Sequence, residues 1–334
     1  MRVAAFADLV GPDGVEIQDH DDPEPGPGEA VVDVEACAIN RHDLWILEGD
    51  SAMVSGEDLP FVTGLDVAGV VASVGEGVSS VEPGDRVVLC PNETCGTCEF
   101  CREGPENLCE RFSLFHGGLA ERACVRADRL VALPDGVDAT AAAAIPTAYM
   151  TAWHMIRRAD VSPGDRVLVL GATGGVGVAC VQLLDTMGVH SVGTSTSPEK
   201  LDRLAELGCD EPVEAGGPEA VRESVETVDA VLNHLAGEYT EAGLRVLRRA
   251  GRMVVCGRTA GGESTFDVAR LFLSHHRIVG STMGTQADLE RLVDLVAEGA
   301  FDPVVGEEYP LDETAQAFAD MQSRDLFGKS VVRP

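Results

Sequence analysis

The segment Arg166-Val167-Leu168-Val169-Leu170-Gly171-Ala172-Thr173-Gly174-Gly175-Val176-Gly177 constrains this chain more than any other stretch. Its apolar run reads as a strand buried on both faces, and it passes straight through glycines into a helical pattern at 176–187. A helix that starts directly off a buried strand aims its free backbone amides, and the positive end of its dipole, at whatever sits in the turn. A pyrophosphate suits that place, and glycine is needed because a β-carbon would meet the phosphate or the packing of helix on strand. A lone glycine-rich turn is weak evidence, and one alternative is a turn that merely connects two elements. Here the turn lies in a long alternation: strands at 165–171, 191–196, 229–233 and 252–257 are separated by helices at 176–187, 199–207 and 238–247. That order implies an α/β parallel sheet with covering helices, and hence a dinucleotide site.

The end of the next strand selects the dinucleotide. A site for NAD places an acidic residue there for the ribose hydroxyls, and that charge repels a 2′-phosphate. This chain has Ser195 and Thr196, followed by Lys200 and Arg203 about one helical turn apart. Hydroxyls plus two cations favour NADP(H) through charge-assisted bonds, although the cations also fit a solvated helix face. Lys200 is one of just two lysines, the other being Lys329.

Ahead of the alternation, residues 1–147 carry short β-like runs at 30–38, 67–74, 85–89 and 120–125, with Pro-Gly turn signals at 25–28 and 83–85. This is the texture of an antiparallel barrel. An alanine-rich helix is expected at 139–158 and another at 287–298, leading into a tail that returns to the first domain.

Inside the first region Cys95, Cys98, Cys101 and Cys109 are spaced C-x2-C-x2-C-x7-C in a Gly- and Pro-rich loop. Four soft thiolates leave no open position on a tetrahedral ion, which describes a closed, structural zinc site. Two disulfides would need an oxidising compartment, and the N-terminus does not read as a signal peptide, so a cytoplasmic location is expected. Triple x2 spacing also suits an iron–sulfur cluster. The other six cysteines, Cys37, Cys90, Cys124, Cys180, Cys209 and Cys256, read as reduced core residues.

Charge narrows the partners. Over 334 residues, 56 acidic groups face 25 basic ones, a net of −31, so nucleic acid and anionic membranes are disfavoured. The acidity is spread along the chain rather than blocked in a tail, a pattern similar to that of halophilic cytoplasms. No apolar run reaches the roughly 20 residues of a membrane span.

In order along the chain, the four-cysteine loop, Thr63-Gly64-Leu65-Asp66-Val67-Ala68-Gly69-Val70-Val71, Val81-Glu82-Pro83-Gly84-Asp85-Arg86-Val87, Thr151-Ala152-Trp153 and the glycine-rich turn resemble the medium-chain dehydrogenase/reductase superfamily. Within it the chain looks closest to the quinone reductase-like branch that keeps a structural zinc lobe. The resemblance implies a GroES-like β-barrel catalytic domain at 1–147 and 286–334 with a lobe at 90–112, and a Rossmann domain at 148–285. It implies an active site in the cleft between them, a small-molecule substrate, and a homodimer or homotetramer. The expected cofactor residues are Thr151, Gly171, Thr173, Gly174, Gly175, Val176, Gly177, Ser195, Thr196, Lys200, Arg203, Gly257, Arg258, Met283 and Lys329.

The chain departs from the alcohol dehydrogenase pattern at the catalytic metal. Where that branch carries Cys, His-Glu and a second Cys, this chain has Asn40, Leu65-Asp66 and Thr147, and only Asp66 ligates zinc in the usual way. An open catalytic zinc takes three protein ligands, so none is expected here. Without it, reducing an activated C=C bond or a quinone is easier than oxidising an alcohol. The expected catalytic residues are Asn40, as hydrogen-bond donor to the substrate carbonyl, then Arg41, His42, Asp66 and Thr147. The competing readings are an alcohol dehydrogenase with atypical zinc ligands drawn from His42, Asp43, Asp66 and His154, and a nucleotide-binding scaffold or stress protein without turnover.

Overall fold

The computed structural model describes residues 1–334 and divides into two compact units, Met1–Thr147 with Thr285–Pro334, and Ala148–Gly284. Thr285 belongs to the first unit rather than the second, because its side chain caps the helix Gln286–Ala297 by accepting from Asp288 N.

The first unit is built on a seven-stranded sheet centred on Glu29–Ala38. In that strand Val32, Val34 and Ala36 are buried while Asp33 and Glu35 face solvent, the period of 2 expected of a half-covered sheet. Glu29–Ala38 pairs antiparallel with Asp66–Val74 and with Arg122–Arg126, and its end takes the returning tail, with Val331 on Ala38 and Val332 on Cys37. Gly69 is required: a β-carbon there would stand 2.1 Å from Asp33 O, where the pairing shifts register. The core between these strands includes Val67, Val71, Leu89, Leu119 and Phe318.

The expected helix at 139–158 is two helices, Ala139–Ala143 and Pro146–Arg158. Pro146 has no N–H to donate back, so it ends the first and opens the second at the position where proline is favoured.

The second unit is a six-stranded parallel sheet in the order Glu211–Glu214, His190–Ser195, Arg166–Leu170, Val228–Asn233, Leu247–Val255, Arg277–Gly280. Counted along the chain this is 3-2-1-4-5-6, the doubly wound order. Val167 to Leu170 are 0% exposed, as the apolar run requires. Both outermost strands lacked a sequence signal. Glu211–Glu214 carries Pro212, which an edge tolerates, and neither strand has a buried apolar run.

Candidate active site and metal centre

The four lobe cysteines converge. Their ligand atoms all lie within 4.8 Å of one another, with Sγ–Sγ distances of 3.8 Å for Cys95–Cys101 and 3.5 Å for Cys98–Cys101. Four sulfurs about 2.3 Å from a tetrahedral zinc stand about 3.8 Å apart, so the cluster fits that ion. None of the ten cysteines forms a disulfide. Backbone amides are aimed at the sulfurs: Cys98 N and Thr97 N donate to Cys95 Sγ, and Cys95 N and Arg111 N donate to Cys109 Sγ. The hydrogen bonds from Thr97 pull the Cys95 thiol down to about 4, whereas desolvation pushes Cys101 up to about 11. The lobe is tied to the returning chain by Glu106, which pairs with Arg129 at 3.0 Å and accepts from Gln286 N at 2.9 Å.

A second group forms where Lys329–Arg333 pairs beside the end of Glu29–Ala38. Lys329 Nζ donates to Asn40 Oδ1 at 2.5 Å, Ile39 O at 2.9 Å and Asp66 Oδ2 at 3.2 Å, spending all three of its hydrogens. Asn40 Nδ2 donates to Asp66 Oδ2 and Ala38 O, and Thr147 donates to Asp66 Oδ1 through Oγ1 at 2.6 Å and N at 3.1 Å. Burial raises the Asp66 carboxyl, opposed chiefly by the charge of Lys329.

Two expectations change here. Lys329 is committed to Asn40 and Asp66 rather than offered to a cofactor. Asn40 has no hydrogen left for a substrate carbonyl, since both Nδ2 hydrogens are used. The three positions that the family resemblance equates with catalytic-metal ligands do come together, but around an ammonium. With one carboxylate, an amide and a hydroxyl already bonded to one another, this set does not fit an open catalytic zinc.

Arg41 and His42 open the helix Arg41–Leu47, and each carries a buried side-chain nitrogen without a partner, Arg41 Nε and His42 Nε2. Burial lowers the Arg41 guanidinium below its usual range. His42 stacks on His116, with ring centroids 5.5 Å apart and planes 26° from parallel, and His116 Nε2 is likewise buried and partnerless. Sequence reading passed over His116. Its only local signal is the Gly117-Gly118 pair that follows, where a β-carbon on Gly118 would stand 2.4 Å from Val67.

In the second unit the glycine turn is shaped as expected. Gly171 has φ +67°, and a β-carbon on Gly177 would lie 2.3 Å from Gly171 O, so the fold itself needs both. Gly174 differs: it caps the helix Gly175–Thr186, and a β-carbon there would meet nothing nearer than Gly171 O at 3.9 Å. Bare backbone with open space at a helix N-terminus, flanked by Thr173 and Val176, fits a dinucleotide pyrophosphate.

Ser195 ends its strand 4% exposed, its hydroxyl held by Ser197 N and O, with Thr196 exposed beyond it. Lys200 and Arg203 follow, at the start of and within the short helix Leu201–Glu206. Gly257 has φ +86° and precedes Arg258. Thr151 Oγ1 contacts Met283 Sδ at 3.9 Å, and Met283 holds φ +46°, an uncommon conformation for a non-glycine residue. His234, also unmarked by the sequence, lies beside the turn, where a β-carbon on Gly171 would be 3.3 Å from its Nε2.

Comparison with known proteins agrees with this architecture. The family model "Alcohol dehydrogenase GroES-like domain" matches residues 26–135, and "Zinc-binding dehydrogenase" matches residues 175–298. The chain is 30% identical over 324 residues to an acryloyl-coenzyme A reductase of Metallosphaera sedula, covering 96% of each chain. It is 30% identical over 343 residues to an alcohol dehydrogenase of Geobacillus stearothermophilus, covering 100% of this chain and 99% of that one. Among solved structures it is similar to an NAD-dependent alcohol dehydrogenase, with a TM-score of 0.92 and 35% identity over 100% of both chains.

Proposed function

Because the chain belongs to the medium-chain dehydrogenase/reductase superfamily of NAD(P)-dependent oxidoreductases, we propose that it reduces an activated C=C bond, of an enone or quinone, without a catalytic metal. The observation that carries this reading is the ammonium of Lys329 set among Asn40, Asp66 and the backbone beside them. A plain alcohol has nothing there to lower the pKa of its hydroxyl. Conjugate reduction asks for less: the growing charge on the carbonyl oxygen needs only a hydrogen-bond donor.

When bound, the dinucleotide supplies the hydride. The chain supplies the rest. With Asn40 and Lys329 committed to each other and to Asp66, and Thr147 to Asp66, the partnerless His42 Nε2 is the donor we assign to the enolate-like oxygen, with Arg41 beside it. Asp66 and Thr147 act by fixing the cluster. Ser195, Lys200 and Arg203 support a preference for NADP(H), and the lobe holds one structural zinc. No helix is long and apolar enough to cross a membrane. We further propose a cytoplasmic, salt-adapted protein that assembles as a homodimer or homotetramer.

The test is a screen of NADPH oxidation against enones, quinones, enoyl thioesters and ketones, with zinc counted per chain. We expect turnover of an activated alkene or quinone at one zinc per chain, and His42→Phe should lower kcat by about a hundredfold. Oxidation of simple alcohols with a second zinc per chain, and inert enones, would overturn the reading.

A further inference from the structure

Three oxygens from two stretches of the first unit converge on one point, and Lys329 Nζ fills it. Asn40 Oδ1 lies 2.5 Å from the nitrogen, Ile39 O 2.9 Å and Asp66 Oδ2 3.2 Å. Asn40 spends its amide hydrogens on Ala38 O and Asp66 Oδ2, which leaves its amide oxygen to the ammonium. One carboxylate and two neutral oxygens are the donors a hard cation takes. Asn40, Asp66 and Lys329 are 7%, 0% and 5% exposed, so the charges meet in a dry place.

Charge and distance decide which cation belongs there. The Asp66 carboxylate and the ammonium cancel, so a divalent ion set beside them would bring two unbalanced charges into low dielectric. Asp43, the other buried carboxylate beside Asn40, takes its hydrogens from Asn40 N at 2.8 Å and Thr63 Oγ1 at 2.5 Å, and Lys329 has none left for it. Zinc holds oxygen at about 2.0–2.2 Å and calcium at about 2.3–2.6 Å, tighter than two of the three spacings here. The point is sized and charged for a monovalent cation.

We propose that Lys329 is a tethered cation filling an oxygen-lined monovalent-cation site, and that its ammonium shuts divalent ions out of the place where alcohol dehydrogenases carry a catalytic zinc. Fixed to the strand Lys329–Arg333, this cation is neither chelated nor diluted away. The proposal stands apart from the reductase reading, because occupancy and stability test it without turnover.

The test uses Lys329→Ala in the full chain. The lysine side chain is 5% exposed, so the space it vacates opens to solvent and admits a free cation. Melting is compared in ethylammonium chloride and choline chloride at equal ionic strength, since ethylammonium carries N–H donors and choline carries none. Ethylammonium should raise the melting temperature of Lys329→Ala by about 3 °C or more over choline, and should leave wild type unchanged. If the variant unfolds in choline, its refolding yield in the two salts gives the same reading. Adding Asp66→Asn should abolish the difference. Equal behaviour of Lys329→Ala in both salts, a shift as large in wild type, or a shift that survives Asp66→Asn overturns the tethered cation. Cobalt titration followed by visible absorption should find one site per wild-type chain, lost in Cys98→Ser; a second site that Asp66→Asn removes overturns the exclusion. The reductase reading is judged separately, by which substrates turn over.

Discussion

Lys329 Nζ lies 3.2 Å from Asp66 Oδ2 across 263 residues of chain, and the two side chains are 5% and 0% exposed. Removing one partner of such a pair strands the other in a dry site. Lys329→Met should therefore cost about 3–5 kcal/mol in denaturant unfolding. The loss should be smaller at pH 5 than at pH 8, because the Asp66 carboxyl, already raised by burial, then protonates more readily. Lys329→Met with Asp66→Asn should recover part of the loss. A single mutant as stable as wild type contradicts the pair's role.

The metal lobe should be separable from nucleotide binding. Cys98→Ser removes one of four thiolates, so zinc per chain should fall from one toward zero and proteolysis within 90–112 should quicken. Dinucleotide affinity should change less than about twofold. Zinc retained at one per chain in the mutant shows that the ion sits elsewhere.

Cofactor choice gives a signed result. Wild type should bind NADPH more tightly than NADH, and Ser195→Asp should reverse the order by setting a carboxylate against the 2′-phosphate. A charge contact worth about 1.5–3 kcal/mol corresponds to at least a tenfold loss of NADPH affinity. Fluorescence titration of both nucleotides decides it, and equal wild-type affinities refute the assignment.

Two half-buried histidines set an acid limb on stability. Burial lowers both His116 and His234 from 6.5 to about 4. The unfolded chain then binds more protons than the folded one between those values, so this stability is present above pH 6.5 and is lost as pH falls toward 4. Each ring contributes up to about 3 kcal/mol. His234→Asn should flatten the fall in denaturant midpoint between pH 6.5 and 4; an unchanged slope contradicts the account.

Net charge gives the last prediction. At −31 the folded chain repels itself, and salt screens that repulsion, so the melting temperature should rise from millimolar to molar salt. A flat profile argues against salt adaptation.

What the sequence by itself determined is what neighbours along the chain determine. Arg166 to Gly177 dictated strand, turn and helix because the steric needs of Gly171 and Gly177 arise within six residues of each other. The cysteine spacing gathered four thiols because one loop carries them all, and the strands read at 165–171 and 229–233 fall on the observed parallel strands Arg166–Leu170 and Val228–Asn233. The reading faltered where local pattern is thin, as at Pro146, which splits a helix, and at the edge strand Glu211–Glu214, which buries little.

Only tertiary structure decided the chemistry of the polar cluster and of the histidine pair. Alternation along a strand tells which face a residue takes but not which residue it meets. The register of Lys329–Arg333 against Cys37 and Ala38, and of Asp66–Val74 against the same strand, spends the Lys329 hydrogens on Asn40, Asp66 and Ile39 O, and the Asn40 amide hydrogens on Asp66 and Ala38 O. The same packing sets His116 Nδ1 against Thr63 Oγ1 and leaves His42 Nε2 buried without a partner. A hydrogen bond depends on ångström-scale distance and direction, and between residues remote in sequence those are set by how strands pair and pack, a quantity no local pattern carries.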